Sequence, residues 1–177
     1  MSAVKHKEQR VGVFIDVQNL YHSAKHIHDS RVNFKEVLKS ATDGRKLVRV
    51  IAYVIKTEAG EERSFFEALT KLGIEMRVKD LQIFPGGMKK GDWDVGMAVD
   101  AIRLSSQLDA VVLVTGDGDF VPLAEYLKFN RGLQVEVMAF ERTASSKLIE
   151  AVDIFINLGR GNQYLLGKNN KPGRQAM

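Results

Sequence analysis

Four aspartates lie where predicted strands and helices begin or end. Asp16, Asp117 and Asp119 follow two short apolar runs of strand type, and Asp94 stands at the start of a predicted helix. The carboxyl ends of parallel strands lie on one side of a sheet, which is where open α/β sheets place their chemistry. Carboxylates that converge there either raise a pKa or bind a cation. An all-oxygen ligand set suits Mg²⁺ or Mn²⁺, and these ions can activate water at a phosphodiester.

Each of these aspartates also has an ordinary structural interpretation. Asp16 could begin a turn, and Asp94 and Asp119 occupy positions where helix N-caps are expected. Asp117 followed by Gly118 could form a hairpin turn, but the helical pattern behind it argues against a hairpin, which needs a second alternating strand. Four caps at one end of a sheet would be a coincidence, so the cluster favours a metal site.

Asp100 is a weaker candidate ligand. It lies on the polar face of the same predicted helix as Asp94, is offset from it by about 120° around the axis, and can pair with Arg103 three residues on. Ahead of this helix, Lys89, Lys90 and Trp93 occupy a loop that contains glycine and proline. Basic residues with an aromatic fit phosphate contact and base stacking on single-stranded RNA. The lone tryptophan could equally cover the core.

Alternating strand and helix patterns predict the elements that position these residues. Apolar runs rich in β-branched residues alternate with helical spacing, which is typical of a Rossmann-like α/β domain with a parallel sheet and helices on both faces. Asn33 is a plausible N-cap with Glu36 three positions on. A flexible leader is expected at residues 1–10, a single domain at 11–159 and a disordered tail at 160–177. Strands are predicted at 11–16, 46–55, 74–78, 110–115, 135–140 and 154–158, and helices at 19–28, from 33 onward, and at 61–72, 94–108, 121–129 and 144–151.

The composition excludes several classes of protein. The 177 residues contain no cysteine, which rules out disulfides, thiolate catalysis and cysteine zinc sites. No apolar run approaches the roughly 20 residues of a membrane helix, and no secretory signal is visible, so a cytoplasmic protein is expected. The net charge is +4, of which residues 1–10 carry +2 and residues 160–177 carry +4, leaving −2 on residues 11–159. Basic ends suit a polyanionic partner, although a solvated tail would look the same.

Three segments resemble the motifs of NYN domains. Residues 14–19 (FIDVQN) resemble the F-x-D-x-x-N opening, and residues 115–123 (TGDGDFVPL) resemble S/T-G-D-x-D-F-x-P-L. Residues 90–100 (KGDWDVGMAVD) resemble a segment that commonly reads K-G-V-D-V, with one extra residue here. The segment at 146–158 is also similar to the family's closing part. The resemblance covers about residues 11–159 and points to the LabA/DUF88 branch, within the PIN-like nuclease fold.

The resemblance implies a Mg²⁺- or Mn²⁺-dependent ribonuclease. The extra residue makes Asp92 an alternative to Asp94 as ligand, and the VGMAVD that follows favours Asp94. RNA is the expected partner, no membrane association is expected, and a homodimer stays open. The second hypothesis is a regulatory NYN module that binds RNA or protein and has little or no catalytic activity. By motif, the metal-binding acids are Asp16, Asp94, Asp117 and Asp119, with Asn19 orienting Asp16 or the substrate and Asp100 supporting the ligands from behind.

Overall fold

The computed structural model describes residues 3–57 and 62–167. Ten strands and six α-helices follow one another in this part of the chain, with short 3₁₀ turns at Ser105–Gln107 and Gly118–Phe120 and a π-helical turn at Tyr126–Asn130. In chain order the elements are β1 (Arg10–Asp16), α1 (Val17–His28), β2 (Arg31–Val32), α2 (Phe34–Thr42), β3 (Lys46–Lys56), α3 (Arg63–Lys71), β4 (Glu75–Asp80), β5 (Gln82–Ile83), β6 (Lys89–Lys90), α4 (Asp94–Leu104), β7 (Ala110–Val114), α5 (Val121–Glu125), β8 (Gln134–Ala139), α6 (Ser146–Ala151), β9 (Ile154–Asn157) and β10 (Leu165–Leu166).

A six-stranded sheet in the order β4-β3-β1-β7-β8-β9 forms the centre of the domain, and all of its strand pairs are parallel. The predicted α/β class with a parallel sheet is therefore confirmed. β1 and β7 lie side by side in the middle. Their apolar residues are buried, as expected for strands covered on both faces. This pairing brings the carboxyl ends of β1 and β7 together.

Two apolar layers cover the sheet. Helices α1, α2 and α3 pack on one face, where Leu20 and Val37 are buried. Helices α4, α5 and α6 pack on the other, where Met97, Leu127 and Leu148 are buried. The side chains of β1 alternate between these layers because successive residues of a strand point to opposite faces. Within the described residues, no helix combines the length and apolar character needed to cross a bilayer.

The described residues before and after the predicted domain contact it. Arg10 begins β1 and its guanidinium bonds Asp109, and the ammonium of Lys5 lies 3.5 Å from the carboxylate of Glu136. These contacts place residues 5 and 10 against the domain, and the flexible leader at residues 1–10 stays a prediction. The partners of Lys5 and Arg10 lie where the sheet begins.

Part of the segment expected as a disordered tail at 160–177 also contacts the domain, namely residues 164–166. β10 pairs with β2 in an antiparallel ladder, and the side chain of Tyr164 is buried, with its hydroxyl 2.8 Å from Ser40 Oγ. A tyrosine and two leucines at residues 164–166 supply enough apolar surface to hold this segment. The remaining tail residues Lys168, Lys171 and Arg174 lie outside the described residues.

A buried ion pair lies at the amino end of the sheet. The guanidinium of Arg45 donates to both carboxylate oxygens of Glu136, at 2.7 and 3.0 Å, and the two side chains are almost fully buried. Arg45 also donates to the carbonyls of Ala41 and Thr42. A buried charge needs such partners, because an unpaired one costs several kcal/mol, on the order of 3–5.

Candidate metal centre

The loop after β7 places Asp117 at the carboxyl end of the sheet. Thr115 is buried, and its hydroxyl accepts a hydrogen bond from the Asp117 N–H at 3.2 Å. The Asp117 carboxylate then accepts from the Asp119 N–H at 2.9 Å, which caps the 3₁₀ turn at Gly118–Phe120. These two local hydrogen bonds turn the chain after β7 and hold Asp117 and Asp119 at the same end of the sheet.

Three carboxylates converge in front of this loop. Asp94, Asp117 and Asp119 each offer an oxygen atom, and the three atoms lie within 4.8 Å of one another. None of the three forms an ion pair with another described residue. The three oxygens are close enough together to share one metal ion, and ligand sets made only of oxygen suit Mg²⁺ or Mn²⁺. Asp92, the alternative to Asp94, is exposed and lies outside this group.

Asp16 approaches the loop from the neighbouring strand and does not belong to the group of three. One of its oxygens accepts from the Asn19 N–H at 3.2 Å, which makes Asp16 the N-cap of α1. The other accepts from the Thr115 hydroxyl at 3.0 Å. Burial raises the pKa of Asp16, and the nearby charge of Asp117 raises it further, whereas the two hydrogen bonds lower it.

Asn19 holds the loop after β7 rather than the carboxylate of Asp16. Its side-chain oxygen accepts from the Gly116 N–H at 2.9 Å. Together with the bond between Thr115 and Asp16, this contact ties the start of α1 to the end of β7. Sequence reasoning did not identify Thr115, although it stands directly before Gly116-Asp117 in the motif.

Within the cluster, the carboxyl group of Asp94 has a raised pKa. Partial burial, followed by the charges of Asp117, Asp16, Asp92 and Asp119, raises the pKa of Asp94 to about 6. Like charges this close disfavour a second ionised carboxylate unless a cation lies between them. The donor set therefore fits a divalent cation, which would remove this repulsion.

Two of the four aspartates do not cap a helix as their positions suggested. Trp93 is the N-cap residue of α4 and makes no side-chain capping bond, so Asp94 is the first residue inside that helix. The side chain of Asp119 makes no hydrogen bond within the described residues. The caps are instead Asp16 and Asp117, which leaves the carboxylates of Asp94 and Asp119 free of structural hydrogen bonds.

Asp100 lies in a separate buried network. It accepts a hydrogen bond from the Tyr53 hydroxyl at 2.9 Å. The Nε atom of Arg77 is 2.8 Å away, without hydrogen-bond alignment, and Arg103 is 3.5 Å away. These two cations compensate the charge of Asp100. Burial, followed by the hydrogen bond to Asp100, raises the pKa of Tyr53. Asp100 thus contacts Tyr53, whose ring packs against Trp93, and does not belong to the group of three carboxylates.

The predicted RNA-contacting residues occupy two different surroundings. Lys89 and Lys90 form β6, an exposed strand of the β5–β6 hairpin inside the predicted loop. The indole N–H of Trp93 donates to the Val54 carbonyl at 3.0 Å, and the ammonium of Lys79 lies 4.1 Å from the ring centroid. The ring of Trp93 thus contacts other parts of the protein. This agrees with the alternative in which the tryptophan covers the core.

Comparison with known proteins identifies the family. The family model for the NYN domain matches residues 10–159. The chain belongs to the NYN domain family. This NYN domain is 25% identical over 160 residues to the "low amplitude and bright" protein LabA of Synechococcus elongatus, covering 86% of this chain and 85% of LabA. It also matches the crystal structure of a Vibrio parahaemolyticus protein of unknown function with a TM-score of 0.83 and 30% identity, covering 93% of this chain and 100% of that one.

The predicted membership of a LabA-like NYN group is therefore confirmed. The NYN family has the PIN-like fold and is associated with nucleases, which typically use divalent metals. In this NYN domain the carboxylates of Asp94, Asp117 and Asp119 are close enough together to share one metal ion.

Proposed function

We propose that this NYN domain is a metal-dependent ribonuclease. The observation that carries the proposal is the group of Asp94, Asp117 and Asp119, whose carboxylate oxygens lie within 4.8 Å of one another and form no ion pair with another described residue. Membership of a nuclease-associated family supports hydrolysis of a phosphodiester over other metal chemistry. RNA, rather than another phosphodiester, is inferred from the family.

In this proposal some residues bind the metal ion and others position the residues that bind it. Asp94, Asp117 and Asp119 would hold Mg²⁺ or Mn²⁺, and Asp16 would add its negative charge from the neighbouring strand. Bound at such a site, a divalent ion activates water and stabilises the leaving oxygen of a phosphodiester. Thr115 and Asn19 fix the loop that carries Asp117, through bonds of 3.0 Å to Asp16 and 2.9 Å to Gly116.

The exposed basic hairpin would hold the RNA strand. Lys89 and Lys90 are exposed on β6, a few residues ahead of Asp94 along the chain. Their charges would neutralise phosphates without reading sequence, because contacts to the phosphate backbone carry no base information. Cleavage should therefore weaken as the salt concentration rises.

The test is cleavage of labelled single-stranded RNA by the purified full-length chain with Mn²⁺. Asp117→Asn should lower the rate by at least about 100-fold, because losing a ligand should cost no less than losing a residue that orients one. Asp43→Asn is the matched control. Asp43 is an exposed aspartate in a left-handed conformation that asparagine tolerates, at the amino end of the sheet. The Asp43→Asn variant should cleave RNA at the rate of the unchanged protein.

Two outcomes would contradict the proposal. Cleavage that survives Asp117→Asn would place the chemistry elsewhere or in a contaminant. A protein that cleaves no RNA and takes up no Mn²⁺ in a calorimetric titration would be the regulatory module of the second hypothesis.

A further inference from the structure

An apolar groove opens directly beside the three carboxylates. It runs between α4 and α5 and has a volume of about 330 Å³. Asp94 and Asp119 line one part of it, so the groove and the candidate metal centre share two residues. A ligand held at the carboxylates therefore has this groove as its immediate neighbour.

The floor and walls of the groove are almost entirely apolar. Buried Phe120 and Leu123 contribute to its lining from the core side. Val95, Ala98 and Ile102 line it from α4, where their spacing of three and four residues places them on one helix face. Val95 is 75% exposed and Ile102 40% exposed, so this face is open to solvent.

Tyr126 lies on the opposite wall. It follows α5 at the start of the π-helical turn and is 38% exposed. An exposed aromatic ring beside an apolar face offers a stacking surface that any base can use, since every base has a π-face. The described residues that line the groove include no lysine, arginine or histidine. The groove is thus suited to an uncharged planar group and not to a phosphate.

The charge pattern identifies the occupant. A nucleotide has an anionic phosphate and, next to it, an uncharged aromatic base. The site has the complementary order, with carboxylates that bind a cation for the phosphate and an apolar groove beside them. Continuity with the carboxylates therefore favours the base.

We propose that the groove between α4 and α5 is a subsite for one base of the RNA strand bound at the carboxylate group, with Tyr126 as its stacking surface. This inference rests on the proposed ribonuclease function, because it assumes that a phosphate of the strand lies at Asp94, Asp117 and Asp119. The base that enters the groove belongs to a nucleotide next to the phosphate held there.

The experiment combines a protein variant with a missing base. The probe is a fluorescein-labelled single-stranded RNA of about ten nucleotides, and a series of copies lacks the base at one position each. Binding to the full-length chain is measured by anisotropy with Ca²⁺ in place of Mn²⁺. Tyr126→Ala should bind the intact RNA roughly 5- to 150-fold more weakly, the range expected for one stacked base.

The decisive result is the coupling between the two changes. One abasic position should weaken binding to the unchanged protein by the same factor, and should cost nothing further in Tyr126→Ala. Tyr126→Trp should keep the affinity, because a larger ring still stacks. Phe129→Ala is the matched control, since Phe129 is a 75% exposed aromatic on the same turn that does not line the groove.

Three results would overturn the subsite. They are equal binding by Tyr126→Ala and Phe129→Ala, abasic positions that all bind like the intact RNA, and a concentration-dependent dimer in sedimentation that Tyr126→Ala dissociates. Cleavage is scored separately with Mn²⁺. Binding that shows this coupling, without any cleavage, would support the base subsite and contradict the ribonuclease proposal. Cleavage that is unaffected by Tyr126→Ala, together with binding that shows no coupling, would support the ribonuclease proposal and contradict the base subsite.

Discussion

Asp94 has a carboxyl group whose protonation differs between the folded and the unfolded chain. An ordinary aspartate titrates near 3.8, whereas burial and the neighbouring carboxylates raise the pKa of Asp94 to about 6. Between these two pH values the folded protein binds more protons than the unfolded chain. The free energy of unfolding of the metal-free protein therefore rises as the pH falls through 6, and this gain is complete below 4.

At the residue scale we expect the metal-free protein to be more stable at pH 5 than at pH 7.5. Asp94→Asn should remove part of this difference by stabilising the protein at pH 7.5, by about 1 kcal/mol after allowance for solvent screening. Calorimetric melting in EDTA at several pH values measures this change in stability, with Asp43→Asn as the control. Equal pH dependence in the two variants would show that the charge of Asp94 is not destabilising.

The sequence indicated the acidic residues well and their partners poorly. Asp117 could be located because an apolar strand runs into it and a helical pattern follows. That Asp16 has both oxygens occupied, by the N–H of Asn19 and the hydroxyl of Thr115, depends on the spacing between two strands. Whether Trp93 covers the core or faces RNA also depended on its contacts with Val54 and Lys79, which are distant from it in the sequence.

At the scale of elements, the loop after β7 is held between two neighbours. On one side Asn19 accepts from the Gly116 N–H. On the other, the Ser145 N–H donates to the Gly116 carbonyl at 2.9 Å. A Cβ atom on Gly116 would lie 3.0 Å from Ala144 Cα, so the strand end and the turn before α6 are in direct backbone contact.

Gly116→Ala should therefore destabilise the protein by about 1–3 kcal/mol, because backbone atoms cannot give way as a side chain can. The same change should weaken Mn²⁺ binding, since the loop carries Asp117. Urea unfolding and a metal titration measure the two effects. Gly167→Ala is the control, as a Cβ there meets nothing within 4 Å. A Gly116→Ala protein with unchanged stability would mean that the turn before α6 adjusts freely.

Helix and strand patterns predicted the long elements but not the short or irregular ones. The segment predicted as one helix at 121–129 begins as α5, directly after the 3₁₀ turn, and continues as a π-helical turn from Tyr126. Apolar spacing does not distinguish these hydrogen-bond patterns. The strands β2 and β10 have two residues each, too few for an alternating pattern, and their pairing joins distant parts of the chain.

At the scale of the whole molecule, the domain extends beyond the residues matched by the NYN family. The match ends at residue 159, whereas Tyr164 packs into the layer under α1 and α2 and its carbonyl accepts from the Asn33 N–H at 2.7 Å. The segment that contains β10 thus holds the start of α2 in place. Sequence composition predicted a tail here because glycine and asparagine surround the three apolar residues.

Tyr164→Ala should lower the free energy of unfolding by about 3 kcal/mol, the usual cost of emptying a buried aromatic site. Tyr164→Phe keeps the ring and loses only the hydroxyl bond to Ser40, so it should cost about 1 kcal/mol. Urea denaturation distinguishes the two. Equal, small losses in both variants would show that the segment is not part of the cooperative domain.

The contacts of Lys5 and Arg10 with the domain have a practical consequence. Lys5 contacts Glu136 next to the buried partner Arg45, and Arg10 bonds Asp109, so the first described residues lie where the strands begin. The carboxylates lie where the strands end. A surface tether or reporter fused ahead of residue 3 would thus leave the protein with its acidic side facing the solution, and oligonucleotides could reach it unobstructed in a sensor-chip format.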